Sequence, residues 1–307
     1  MRVLTIVNDR AGAGDAGLYQ FVRLLGLEGC EVVLRYVREG DTVAKLTSDA
    51  ASFDRIVAAG GDGTASAVCY ATRMSKVPLL VFPAGTANLL ASNLALPFEP
   101  PALAHTLTQG PSVDFDLGEL EFLDKTGAAS TSGFMIMAGT GYDAQVMQDA
   151  ALLKPAFGAA AYLVSAVSNL IPVTAAYEFV VDGKRIESDG IAILLVNFGR
   201  IQFDLPVTPD ADPRDGKFEV AVLRTKTAVG LLPALTAAVF DKTGKLLAHG
   251  AGMDMYRGSS IKVTSEPPMR AQADGDVLRA TTPFSARSLP QATRLLVPPG
   301  SFYAQFA

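Results

Sequence analysis

Tryptophan is absent from this 307-residue sequence, cysteine and histidine occur twice each, and there is neither a long apolar run nor a block of basic residues. Each gap removes a class of function. Cys30 and Cys69 form no C-x-x-C pair and lie far in sequence from His105 and His249, so both read as reduced, packed thiols. Two histidines leave no H-E-x-x-H zinc site and argue against a Ser-His-Asp hydrolase. No window reaches the roughly 18 apolar residues of a membrane-spanning helix. The N-terminus, Met1-Arg2-Val3-Leu4-Thr5-Ile6-Val7, runs into Asn8-Asp9-Arg10 without a cleavage pattern, which predicts a cytoplasmic location and at most a transient membrane association. A formal net charge of −5 without a basic cluster argues against nucleic-acid partners and against loose adhesion to anionic membranes.

What is present is a globular composition, 49% hydrophobic, long enough for two domains. In the first third, short apolar runs at Val3 to Val7, Val32 to Val37, Arg55 to Ala59 and Pro78 to Phe82 alternate with longer mixed segments such as Leu18 to Leu27 and Thr42 to Ala50. That alternation predicts a parallel sheet flanked by helices, with ligands beyond the C-terminal strand ends. Asn8, Gly60 and Gly85 each follow a predicted strand, so their loops are expected to share one rim. From about residue 113 the pattern turns to strands: Phe134 to Ala138, Tyr177 to Val181, Ile191 to Asn197, Phe218 to Leu223, Ile261 to Thr264 and Leu295 to Val297. Helical interruptions are predicted at Phe157 to Leu170 and Thr227 to Phe240.

Gly60-Gly61-Asp62-Gly63-Thr64 carries the most chemistry. It follows an apolar strand and precedes Ala65-Ser66-Ala67-Val68, an expected helix start. Glycines let the backbone approach an anion closely, and the first N–H groups of a helix are free to donate to phosphate oxygens. Asp62 would repel bare phosphates, so it is expected to work with Mg²⁺ or to accept N–H bonds of the turn. The plainer alternative is a tight strand-to-helix connection with Thr64 as the cap. Asp210-Ala211-Asp212-Pro213-Arg214-Asp215-Gly216 and Asp274-Gly275-Asp276 are acidic turns of the kind that hairpins also use. Phosphoryl transfer needs a base and metal-organising carboxylates, which these turns could supply.

Taken in order, these landmarks resemble the diacylglycerol kinase catalytic family of lipid kinases, over most of the chain. Asn8 with Gly12 and Gly14 comes first, then Gly60 to Thr64, Pro83-Ala84-Gly85-Thr86-Ala87-Asn88, Asp116-Leu117-Gly118, Gly139-Thr140-Gly141-Tyr142-Asp143-Ala144, Asp215-Gly216 and Asp274-Gly275-Asp276. The resemblance implies an N-terminal α/β nucleotide domain (residues 1–115 with 289–307), a β-rich sandwich for the lipid (116–288), and ATP in a cleft between them. It implies ATP contacts from Asn8, Asp9, Arg10, Ala11 and Gly12, from Gly60, Gly61, Asp62, Gly63, Thr64, Ala65, Ser66 and Ala67, and from Gly85, Thr86 and Asn88. Asp62 and Asp116 would belong to a water and Mg²⁺ network. A further Mg²⁺ would be held by the Asp215 carboxylate with backbone oxygens of Asp212 and Lys217.

The implied reaction moves the ATP γ-phosphoryl group to a primary hydroxyl of diacylglycerol or a related lipid alcohol presented at a membrane surface. Asp276 would accept the hydroxyl proton, and a homodimer is left open. Asp276 stands where the family has Glu, which shortens the reach by roughly 1.5 Å, and a displacement of about 1 Å can cost on the order of 100-fold in rate. The first loop lacks the family's Asn-Pro and Ser-Gly, and Leu89 replaces a common Asp. The helix predicted at Phe157 to Leu170, with Lys154 upstream and Tyr162 within it, is a candidate for lipid contact or for the core. Alternatives are an NAD kinase, which shares the glycine turn but uses an Asn-Glu pair that this chain lacks, a nucleotide- and lipid-binding protein with little kinase activity, and a 6-phosphofructokinase-like sugar kinase.

Overall fold

The computed structural model describes residues 1–8, 15–141, 173–201, 205–206, 208, 211–224 and 252–307. In chain order these form β1 (Arg2–Val7), α1 (Asp15–Leu27), β2 (Glu31–Tyr36), α2 (Val43–Leu46), β3 (Arg55–Gly60), α3 (Asp62–Thr72), β4 (Leu79–Pro83), α4 (Leu89–Asn93), α5 (Pro100–Gln109), β5 (Ser112–Leu123), β6 (Ala129–Phe134) and β7 (Met137–Gly141). There follow β8 (Ala175–Val181), β9 (Lys184–Gly190), β10 (Ala192–Val196), the two-residue β11 (Arg200–Ile201) and β12 (Leu205–Pro206), β13 (Phe218–Leu223), β14 (Met253–Gly258), β15 (Ser260–Glu266), β16 (Arg270–Ala273), β17 (Asp276–Thr281) and β18 (Phe284–Leu296). The described residues divide into two compact units, Met1–Leu117 with Leu289–Ala307, and Gly118–Ser288.

The first unit is built on a parallel sheet. Strand β1 pairs with β2 and β3, β3 pairs with β4, and Leu295 near the end of β18 pairs in parallel with Leu79 of β4. Val3 to Val7 and Ile56 to Gly60 are buried without a break, as strands covered on both faces must be. Helix α1 contributes Phe21 and Leu25 to this core, and the Phe21 ring tilts against Phe82 of β4 with centroids 5.2 Å apart. Because the strands are parallel, the chain leaves β1, β3 and β4 at the same end. The predicted segment Thr42 to Ala50 is not one helix. Thr42 accepts the Lys45 N–H at 3.3 Å to start α2, the helix stops at Leu46, and Ala50–Ser52 forms a separate 3-10 turn.

The second unit is a sandwich. One sheet has the antiparallel order β14-β13-β10-β7-β16-β17. The facing layer pairs β5 with β6, and β15 with β8 and the first half of β18, with β9 beyond β8. Inward residues of both layers make one core, including Phe134, Phe179, Ile193, Leu195, Phe218, Val220, Ile261, Val263 and Phe284. Gly118 lies opposite Phe134 in the β5–β6 register, and a Cβ there would run into the Phe134 ring. The helices predicted at Phe157 to Leu170 and Thr227 to Phe240, with Lys154 and Tyr162, fall outside the described residues.

The apolar run Phe134 to Ala138 proves to be two strands rather than one. Strand β6 belongs to the layer with β5, whereas β7 belongs to the other sheet, and the chain changes sheets at Met135 and Ile136. A corner of this kind strands backbone donors, and Asp274 takes them. Its carboxylate accepts the N–H groups of Met135, Ile136 and Met137 at 2.7, 2.8 and 2.9 Å. The Asn197 side chain adds a bond from Nδ2 to the Met135 carbonyl at 2.7 Å. Asp274→Ala should leave three backbone donors without this acceptor and destabilise the second unit by about 3 kcal/mol or more. Asp274→Asn, with a single acceptor oxygen, should fall between Asp274→Ala and wild type. Denaturant titrations of the full chain check this, and an unchanged midpoint for Asp274→Ala would contradict it.

Candidate active site

The glycine turn sits at the C-terminal rim of the parallel sheet. Helix α3 begins three residues earlier than the sequence suggests: Gly61 is the N-cap, Asp62 lies in the first turn, and the Ala65 N–H bonds to the Gly61 carbonyl at 3.0 Å. Thr64 is therefore not the cap, because it stands inside the helix. The first N–H groups of α3 have no partner within the helix by construction, and the helix dipole favours negative charge at that end. The Thr64 hydroxyl instead accepts the Asn8 Nδ2 donor at 2.9 Å, and the Asn8 N–H bonds to the Ala59 carbonyl at 2.9 Å. These bonds join the end of β1 to the end of β3.

The loop after β4 packs against this turn backbone to backbone. The Ala84 N–H reaches the Gly60 carbonyl at 3.1 Å, and a Cβ on Gly85 would overlap the Gly61 Cα. Only glycine at position 85 allows so close an approach, whereas a Cβ on Gly61 would stand 3.5 Å from the Gly85 Cα, an ordinary contact distance. Asn88 holds the loop in shape: it adopts a left-handed conformation (φ 49°), accepts the Gly85 N–H at 2.8 Å and returns a bond to the Gly85 carbonyl at 2.9 Å. Asp62 completes the connection. Its carboxylate accepts the Leu90 N–H at 2.9 Å, with Leu89 assisting, and so caps α4 from a different helix. Leu89 takes part through its backbone, so the side chain at that position has no role in the contact.

Asp62 is part-buried, and desolvation raises its pKa above the ordinary carboxylate value, while the N–H groups of Leu90 and Leu89 act in the opposite direction. Asp116 is fully buried and accepts the Gln291 N–H at 2.8 Å. Carboxylate oxygens of this kind suit a hard cation, and both side chains already accept backbone N–H bonds. Among the described residues no group of three or more acidic, histidine or cysteine side chains could hold a metal ion.

Residues 2–120 match the family model of the diacylglycerol kinase catalytic domain, and residues 136–297 match that of the YegS C-terminal NAD kinase beta sandwich-like domain. The chain belongs to this lipid kinase family. A relative from Alcanivorax borkumensis named "Probable lipid kinase YegS-like" is 28% identical over 281 residues, covering 89% of each chain. One of the same name from Klebsiella pneumoniae is 26% identical over 303 residues, covering 96% of each. An uncharacterized Synechocystis protein is 25% identical over 268 residues, and there the match spans only 57% of the relative's length. Among solved structures, a diacylglycerol kinase from Bacillus anthracis str. Sterne superposes with a TM-score of 0.69 at 19% identity, covering 98% of both chains. Yeast NADH kinase complexed with NADH gives 0.55 at 10% identity, covering 96% of this chain and 82% of that one. Both likenesses are of fold, and the fold is the expected one: an α/β domain with a parallel sheet followed by a β sandwich.

The nominated residues of this family member distribute unevenly. Asn8, Gly60, Gly61, Asp62, Gly63, Thr64, Gly85 and Asn88 belong to the connected rim described above. Thr86 is exposed beside it. Ala65 and Ser66 are buried, so their side chains face the core and Ser66 offers no hydroxyl to solvent. Asp9, Arg10, Ala11 and Gly12 fall outside the described residues. In the second unit Asp274-Gly275 is a two-residue hairpin turn with φ of 46° and 85°, and Asp276 opens β17, exposed and paired with Ala273. Asp212 and Lys217 are exposed and Asp215 is part-buried in the loop before β13. The sequence reading missed the Asn8–Thr64 bond, the capping of α4 by Asp62 and the role of Asp274, all of which join residues far apart in the chain.

A folded-state pKa above the unfolded one means that the ionised Asp62 disfavours the folded state. That penalty is fully present above the raised pKa and disappears as pH falls below the ordinary carboxylate range. Asp62→Asn keeps an acceptor for Leu90 and removes the charge. Its melting temperature at neutral pH should equal or exceed that of wild type, and the difference should shrink as pH is lowered through the carboxylate range. Thermal melts across pH test the sign, which a strongly destabilised Asp62→Asn at pH 7 would reverse.

Proposed function

We propose that this chain transfers the γ-phosphoryl group of ATP to a primary hydroxyl of a lipid alcohol, diacylglycerol or a close relative, with Mg²⁺ as the counter-ion of the phosphates. The observation that carries the reading is the rim where Gly61 and Gly85 meet backbone to backbone beside the open N-terminus of α3. The names of the family relatives support a lipid acceptor. The backbone N–H groups at Gly63 and Thr64 would receive phosphate oxygens, and Thr86 would add a hydroxyl. Asp62 and Asp116 would face the cation, which supplies charge neutralisation for the transferring group when bound.

Asp276 is the proposed proton acceptor. It is exposed at the start of β17, and the turn carrying it is fixed by the bonds of Asp274 to the sheet-changing corner. A turn held rigid by those bonds supports the reading, because a fixed backbone lessens the cost of the short reach of an Asp. General-base assistance of this kind contributes typically about 10² to 10⁴-fold.

Radiolabelled ATP offered with mixed micelles of diacylglycerol, monoacylglycerol, sphingosine, ceramide and phosphatidylinositol, and with NAD as a control acceptor, tests the reading. Label is expected in a lipid, and Asp276→Asn should lower turnover by about 100-fold or more while leaving ATP binding intact. Labelled NADP would replace the lipid reading by the NAD kinase one. Tight ATP binding without transfer to any lipid would support the binding-protein alternative, and full turnover in Asp276→Asn would remove Asp276 from the base role.

A further inference from the structure

The family resemblance expects a divalent cation on the Asp215 carboxylate and the backbone oxygens of Asp212 and Lys217, yet the donor set of this loop does not fit a resident metal. One Asp215 oxygen accepts the Lys217 N–H at 2.9 Å, and the other forms an ion pair with the Arg257 guanidinium. The Asp212 carbonyl is engaged as well, accepting the Asp215 N–H at 3.3 Å. A hard cation needs about six or more oxygens with lone pairs turned toward it, whereas here N–H donors point at both oxygens of the Asp215 carboxylate and at the Asp212 carbonyl.

Arg257 is placed by sheet register, not by chance. It lies directly opposite Glu219 in the antiparallel pairing of β13 and β14, and its Nε donates to Glu219 Oε1 at 3.1 Å. A guanidinium presents its donors in a fixed fork, so a side chain anchored on Glu219 by Nε has Nη2 left to reach a second carboxylate. Lysine could not bridge the two with that geometry. Glu219 and Asp215 are mostly buried, with side-chain exposures of 11% and 22%, so their charges call for a partner more than surface carboxylates do.

We propose that Arg257 is the built-in cation of the Asp215 loop: its guanidinium holds residues 211–217 against β14 in place of a divalent ion, and the loop is ordered without metal. This inference does not rest on the phosphoryl-transfer reading. It predicts that the unfolding of the sandwich is independent of Mg²⁺ and Ca²⁺, and that removing the guanidinium exposes a latent cation site formed by Asp215 and Glu219.

The test uses the full chain, stripped with EDTA and free of nucleotide, melted with and without millimolar MgCl₂ or CaCl₂. Any wild-type response should be the same in Asp215→Asn, since it would arise elsewhere. Arg257→Gln should melt lower by about 2–4 °C or more and regain part of the loss with Mg²⁺ or Ca²⁺, and the double variant Arg257→Gln/Asp215→Asn should lose that recovery. Arg257→Lys, which keeps the charge without the fork, should lie between wild type and Arg257→Gln, and it serves if Arg257→Gln fails to fold. A wild-type metal stabilisation that Asp215→Asn abolishes would overturn the proposal, and so would Arg257→Gln and Arg257→Lys variants whose melting and cation response match wild type.

Discussion

The Asp62 carboxylate and the Leu90 N–H, 2.9 Å apart, hold together the loops at the C-terminal rim of the parallel sheet. A parallel sheet delivers the loops after β1, β3 and β4 to one rim but does not fix their mutual positions. The Gly61–Gly85 approach sets the distance, since a side chain at Gly85 would push the loops apart. Asp62 then locks α4 to α3, and Asn8 locks β1 to Thr64. The arrangement sets a partly desolvated charge at the start of a helix, where the dipole favours it, and leaves neighbouring N–H groups to receive an anion.

A second carboxylate performs the matching task in the sandwich. Asp274 gathers the N–H groups of a corner where the chain changes sheets, and in doing so fixes the turn that presents Asp276. Arg257 does the same for the acidic loop before β13. In each case one charged side chain satisfies several groups that regular strand pairing cannot reach. Asp276, exposed at the start of β17, sits two residues from Asp274.

The sheet of the first unit was legible because β1, β3 and β4 are short, unbroken apolar runs bounded by glycine, proline or polar residues, and burial on both faces permits no other pattern. The glycine turn and the ordered acidic turns were legible for the same reason, as local chemistry. Local chemistry also misled. Gly-Asp-Gly reads as a loop, which placed the start of α3 near Ala65, whereas Gly61 caps it and Asp62 already belongs to it. The apolar continuity of Phe134 to Ala138 hid a change of sheet that is stabilised by a residue more than a hundred positions away. The partnership of Arg257 with Glu219 and Asp215 left no local trace, because strand register alone creates it.

As proposed, the rim is a pre-formed nucleotide cradle whose geometry comes from Asp62 as an acceptor of N–H bonds. Calorimetric titration of ATP in the presence of EDTA, with wild type, Asp62→Asn and Asp62→Ala, tests it most directly, because metal ligation by Asp62 cannot then contribute. Asp62→Asn, which still accepts from Leu90, should bind ATP close to wild type, and Asp62→Ala should bind roughly tenfold or more weakly, about 1.4 kcal/mol. Equal metal-free affinity for ATP in Asp62→Ala and wild type would contradict the claim that this bond shapes the site.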